Sequence, residues 1–199
     1  MQTDLNTKTM IQKTLLLFSA FLLFSCTKPI PKLEENTLSN SQNWKTEVEN
    51  TIKLFGHRNW IVVADGAYPK QSNPAIKTIT VNADQLEVVQ FVNEAIKKST
   101  HVQANIFVDK EMDFVPEKDA KGIEKYRFEL NKILKTKKVQ TMLHEGIIKE
   151  LDNSAKVFDI LIIKTNLTIP YTSVFFQLDC GYWNAEDEKN LRTNLNAKQ

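Results

Sequence analysis

The sequence predicts a single-domain α/β protein, a three-layer α/β/α fold with a largely parallel sheet. Short apolar runs of strand length alternate with amphipathic segments of helical period, and strands separated by helices imply crossovers and parallel pairing. At 199 residues and 42% hydrophobic, the chain holds enough apolar material for one real core and too little for a second large domain.

The N-terminal 25 residues read as a targeting segment. From Lys13 the chain runs KTLLLFSAFLLFSC: a basic residue, an apolar stretch shorter than a membrane span, then Cys26. Met10 is a candidate start, because the residues before it are polar for a signal. Leu23-Phe24-Ser25-Cys26 resembles the bacterial lipobox. That resemblance implies cleavage before Cys26 and acylation of its thiol and new amino group. The mature chain would then lie on a lipid membrane without spanning it, each buried CH₂ contributing about 0.8 kcal/mol. Lys28 is not the aspartate that, in some bacteria, retains lipoproteins at the inner membrane. The expected location is the cell envelope, at the outer membrane or facing the periplasm. Residues 26–43, polar and with two prolines, read as a flexible tether that could reach on the order of 50 Å when extended.

The domain is expected over residues 44–184. Trp44, Val48, Ile52 and Phe55 recur at about one helical turn, giving a first helix that stops at Gly56. Ile61 to Ala64 is an apolar run with His57 at its entry and Asp65 at its exit, read as an interior strand. A loop with Pro69 and Pro74 leads to a second strand in IKTITVNA. Asp84 then caps a helix carrying Leu86, Val89, Val92 and Ile96. HVQANIFVD is a third strand, and PEKDAKGIEKYRFELNKIL is a helix with Pro116 in its first turn. KKVQTML reads as a strand delivering His144, followed by the short helix HEGIIKELDN. AKVFDILIIKTN, the LTIPY turn and SVFFQLDCGYW complete the sheet. The tail over 185–199 is polar and reads as a frayed helix or as disorder.

Charge and motifs narrow the chemistry. The net charge of +2 arises from 26 basic and 24 acidic residues mixed along the chain, which leaves no footprint for nucleic acid. Two cysteines make no disulfide framework, and Cys180 reads as a small buried hydrophobe. No HxxxH or CxxC pair supports a metal, no GxSxG elbow exposes a nucleophile, and no GxGxxG or Walker sequence points to a nucleotide. Cofactor-free acid–base work or plain binding is what is left. Of the three histidines, His101 reads as a solvated strand-edge residue, whereas His57 and His144 adjoin strand ends. By spacing alone both stay open, since His57 could cap the preceding helix, Asp65 a turn, and Tyr171 could fill the core. Trp60 and Trp183 both offer aromatic faces for stacking on a ligand, and Trp60, inside the strand region, reads at least as readily as core or interface.

Three segments in order carry a family resemblance. GHRNWIVVADGAYP resembles the GHxDxLVVxDAxxP opening of the D-ribose pyranase and L-fucose mutarotase family, RbsD/FucU. HEGIIKEL resembles its HEEFKxL segment, and KTNLTIPYTSVFFQ its closing RTGExTPYANIIL stretch. The resemblance covers roughly Lys45 to Trp183 and implies an RbsD-like fold. It also implies interconversion of the ring forms or anomers of a ribose- or fucose-like monosaccharide, with neither cofactor nor metal. His57 falls on the family's catalytic histidine. Asp65, His144, Tyr171 and Ser173 fall on substrate-binding positions. Family members form homo-oligomeric rings whose active sites a neighbouring subunit completes. Ser173 replaces the family's Asn, and Asn166-Leu167 its Gly-Glu pair. Those departures leave a catalytically inactive sugar-binding lipoprotein as the alternative.

Overall fold

The computed structural model describes residues 40–135 and 137–197, with the side chains of 40–43 left out. The targeting segment, Cys26 and most of the tether lie outside the described residues. The elements are α1 (Asn40–Leu54), β1 (Trp60–Ala64), β2 (Ile76–Thr80), α2 (Gln85–Lys98), β3 (Val102–Asp109), a 3₁₀ turn (Lys110–Phe114), α3 (Ile123–Leu134), β4 (Val139–Met142), α4 (His144–Ser154), β5 (Ile160–Lys164), β6 (Val174–Cys180) and α5 (Ala185–Asn196). No described helix is long and apolar enough to cross a membrane.

The strands form one sheet in the order β2-β5-β1-β6-β3-β4. β1, β2 and β5 are mutually parallel, as are β3 and β4, while β6 runs antiparallel to both β1 and β3. The reversal of β6 follows from its connection. Parallel pairing needs a crossover of a dozen or more residues, usually a helix, and residues 165–173 supply neither. The sheet is largely parallel, as expected.

Strands β1 (WIVVA) and β5 (ILIIK) are apolar almost throughout because helices or covering loops bury both of their faces. Ile61, Val63, Leu161 and Ile163 point into one core with Val48 and Ile52 of α1, Val88 and Val92 of α2, and Ile123 and Leu130 of α3. Trp60, Val62, Ile160 and Ile162 point the other way, onto Ile147 and Leu151 of α4. The result is the predicted three layers. Trp60 is core, its Nε1–H donating to Ser154 Oγ at 3.0 Å.

Several boundaries differ from those read in the sequence. The first helix begins at Asn40, inside the expected tether. Pro116 does not open α3: the helix starts at Ile123, after Gly122 at φ 95°, a conformation that L side chains rarely adopt. Both oxygens of the Glu117 carboxylate accept backbone N–H groups there, from Gly122 at 2.6 Å and Glu124 at 3.1 Å. The 3₁₀ turn after β3 had no periodic signal. The polar tail forms α5, started by a capping box in which Asn184 and Asp187 satisfy each other's N–H groups. His101 is half-buried, not solvated. Its Nε2 lies 3.0 Å from the Ile52 carbonyl and 3.1 Å from that of Phe55, so it closes the C-terminus of α1. Cys180 forms no disulfide among the described residues and is half-buried rather than buried.

Candidate functional site

Five strands end, and β6 begins, along one edge of the sheet. From β1 the chain crosses toward β2 and β5, and from β3 it crosses the opposite way toward β4. The exits of β1 and β3 therefore flank the start of β6 at a switch point, where open α/β sheets leave a crevice for ligands. A hollow of about 340 Å³ lies there, lined by Asp65, Tyr68, Gln71, His144, Glu145, Ile148, Pro170 and Tyr171 among others.

Asp65 directly follows β1. One carboxylate oxygen accepts the Ala67 N–H at 2.8 Å, forming a local turn that leaves capacity for further donors. The next residue, Gly66, donates its N–H to the Leu167 carbonyl at 2.7 Å, which ties the exit of β1 to the loop carrying Tyr171. A Cβ on Gly66 would come within 3.2 Å of that carbonyl oxygen, so glycine suits the close approach. Tyr68 is buried, and burial pushes its pKa up to about 12, with Gln71 of the same hollow opposing the rise.

His144 opens α4, and two carboxylates hold it. Glu111 accepts its backbone N–H with both oxygens, at 3.0 and 3.1 Å, capping a helix that has no side-chain cap of its own. Asp109, the last residue of β3, meets the ring: its Oδ1 lies 3.1 Å from Nδ1. Asp109 is fully buried, and its Oδ2 has no partner among the described residues. Burial pushes this carboxyl up to about 6, with Glu111 and Asp65 adding to the rise and His144 opposing it. The Tyr171 ring stands edge-on to the imidazole, with centroids 5.7 Å apart.

Tyr171 itself is held at φ 57°, in the left-handed region that costs a non-glycine residue about 1–2 kcal/mol. A buried polar network sustains it. Gln85 Nε2 donates to the Thr172 carbonyl at 2.6 Å and to Tyr126 Oη at 3.0 Å. The Tyr126 hydroxyl donates to the same carbonyl at 2.7 Å, and Thr165 Oγ1 donates to Gln85 Oε1 at 2.8 Å. Burial raises the pKa of Tyr126, keeping it a donor at neutral pH.

The predicted site residues thus separate. Asp65, His144 and Tyr171 line one hollow. Ser173 lies beside it, at the start of β6 between the exits of β1 and β3, but it is only 2% exposed and does not line it. His57 is at the opposite edge, before β1. It is exposed, its Nδ1 is 3.4 Å from Asp179 Oδ1 at the end of β6, and the neighbouring Arg58 has φ 79°. Strand β1 alone, five residues at about 3.3 Å each, puts more than about 15 Å between His57 and the hollow. Leu167 packs against the core rather than presenting a polar group. Trp183 is exposed and does not line the hollow, its Nε1–H donating to Glu188 at 2.9 Å.

Sequence reading missed Asp109 and Glu111. Asp109 carries the same signal as Asp65, an acid terminating an apolar strand, but without the flanking histidine that drew attention to β1. The signal for Glu111 exists only in three dimensions, since its partner is 33 residues away. Among the described residues no group of three His, Cys, Asp or Glu side chains is arranged to hold a metal.

Comparison with known proteins matches this description to a family. No curated protein matches the sequence. Among solved structures, RbsD of Bacillus subtilis complexed with D-ribose is 15% identical, with a TM-score of 0.48 over 70% of this chain and 94% of that one. The fucose mutarotase of Streptococcus pneumoniae, in complex with L-fucose, is 22% identical, with a TM-score of 0.44 over 75% of this chain and 96% of that one. FucU from Bifidobacterium longum is 11% identical, with a TM-score of 0.43 over 66% and 92%. The family profile of RbsD / FucU transport proteins matches residues 40–180, from the start of α1 to the end of β6, and the chain belongs to that family.

Proposed function

We propose that the protein is a cofactor-free sugar mutarotase or pyranase, acting on a ribose- or fucose-like monosaccharide and carried on the cell envelope as a lipoprotein. The observation that carries this reading is the convergence of Asp65, His144 and Tyr171 on one hollow at the sheet's switch point, in a chain of this family.

The reaction asks little of the protein. One group takes the proton of the anomeric hydroxyl while another protonates the ring oxygen, and the ring C–O bond breaks to give the open-chain aldehyde. Rotation and reclosure by the reverse transfers yield the other anomer or ring size. Asp65 accepts hydrogen bonds from sugar hydroxyls, Tyr171 offers a ring face and a hydroxyl, and the imidazole of His144 bonds the sugar from the third side. The catalytic imidazole is His57 of a neighbouring subunit in a head-to-tail ring. An imidazole titrates near neutral pH, and a positioned acid–base group contributes typically about 10²–10⁴-fold. The exposed apolar side chains of Phe114 and Leu143 beside the hollow suit such an interface.

The distance between His57 and the hollow within one chain also favours a second reading. If no ring forms, the same hollow binds a sugar without turning it over. NMR saturation transfer between ring forms and anomers of D-ribose, L-fucose and a panel of other sugars separates the two. Faster exchange for one sugar, lost in His57→Ala, supports the enzyme. Saturation-difference contacts without faster exchange would instead support the binding protein and reject the mutarotase.

A further inference from the structure

We propose that Asp109 is a positioning residue that fixes the ring tautomer of His144, turning His144 from a sugar contact into the second proton-transfer group of the hollow. This rests on the mutarotase reading. Asp109 is fully buried at the end of β3, and one hydrogen bond, from Nδ1 of His144 at 3.1 Å, is all that its side chain receives among the described residues. A buried carboxylate normally gathers several donors. With a single one available, the proton must sit on Nδ1 whenever Asp109 is ionised.

The imidazole has little freedom to respond otherwise. Glu111 anchors its backbone N–H, Asp109 its Nδ1, and the Tyr171 ring abuts it edge-on. Nε2 has no protein partner among the described residues, while the side chain is about one-third exposed and lines the hollow with Asp65. A neutral imidazole carrying hydrogen on Nδ1 presents Nε2 as an acceptor, able to take a proton from a sugar hydroxyl and return it to a ring oxygen. His57 of the neighbour then supplies the opposite transfer, so that acid and base act together on one ring. The titratable groups around His144 are Asp109 of β3, Lys110 and Glu111 of the 3₁₀ turn, Asp65 and Tyr68 after β1, Tyr171 before β6, and Glu145 on α4 itself.

The test uses the full chain in detergent with ¹⁵N-labelled histidine, the His144 signals being assigned by His144→Gln. Wild type is expected to show a protonated Nδ1 and an acceptor Nε2 in neutral His144. In Asp109→Asn the tautomer mixture should change. Sugar exchange at saturation should fall about 10²-fold, the lower end of what a positioned acid–base group contributes, with little change in apparent KM. Asp109→Glu, which keeps a carboxylate, should recover part of the rate and the wild-type pH profile. A wild-type His144 protonated on Nε2, or a folded Asp109→Asn with unchanged tautomer or unchanged exchange and pH profile, would overturn the proposal. If wild type accelerates exchange of no sugar, the mutarotase reading fails and the proton-transfer role with it. The tautomer measurement then still decides whether Asp109 sets His144.

Discussion

His57 and Asp65 stand at opposite ends of β1, one beside Asp179 at the sheet's entry edge and the other in the hollow at its exit edge. A monosaccharide is shorter than that strand, so one subunit does not present both to one sugar. If a neighbour's His57 completes the hollow, the interface is heterologous, pairing the entry edge of one chain with the exit edge of the next.

Complementation between inactive variants follows from this geometry. His57→Ala and Asp65→Ala assemblies should each be inactive in sugar exchange. Co-assembled in equal amounts they should recover about one quarter of wild-type activity, because about one interface in four pairs an intact His57 with an intact Asp65. Mixing without subunit exchange should recover nothing. No recovery on co-assembly would reject a site shared between His57 of one subunit and Asp65 of the next.

The buried network around Gln85 should matter more to the site than its distance from solvent suggests. Gln85→Leu removes the amide from the Thr172 carbonyl and from Tyr126, and takes the acceptor from Thr165. Part of that polarity is still met, since Tyr126 keeps its bond to Thr172 and Thr165 lies 3.1 Å from the Ala64 carbonyl. A loss of about 1–3 kcal/mol is expected in urea melts. Sugar affinity should fall too, because Tyr171 loses the support for its left-handed backbone. Tyr126→Phe, which leaves the Gln85 bond to Thr172 intact, should cost about 1 kcal/mol.

Much of this was legible in the sequence. β1 and β5 announce themselves as apolar runs because both faces are buried, and α2 as a periodic stripe behind an Asp cap. Asp65, His144 and Tyr171 were recognisable because each sits in a segment with a family pattern. What stayed hidden depends on long-range contacts or on single backbone angles. The start of α3 turns on Gly122 adopting positive φ, and periodicity continues to suggest helix before it. The role of His101 depends on the end of α1 folding back onto it across 46 residues. Asp109 and Glu111 gained meaning only when β3 and β4 paired and brought His144 beside them.

The lipid anchor proposed at Cys26 makes a prediction independent of the sugar. Cells expressing the wild-type chain should incorporate labelled palmitate into it and retain it in the membrane fraction. Cys26→Ser should abolish the label and release or mislocalise the protein, since stable anchoring needs more than one acyl chain or a second signal. Palmitate labelling that survives Cys26→Ser would reject Cys26 as the acylated residue.

Asp109 should also leave its mark on stability. Its carboxyl pKa rises from 3.8 to about 6 on folding, chiefly through burial, so between those values the folded state holds a proton that the unfolded chain releases. The sign is therefore opposite to that of a salt-bridged acid. The contribution of Asp109 is fully present below about pH 4 and is lost as pH rises through about 6, amounting to about 3 kcal/mol for this group in isolation. Asn at this position does not titrate. The stability difference between Asp109→Asn and wild type should therefore shift in favour of the variant as pH rises from 4 to 7. Parallel urea melts across that range measure it directly. A difference that stays flat with pH would mean that Asp109 remains ionised throughout, with His144 offsetting the whole cost of burying its charge.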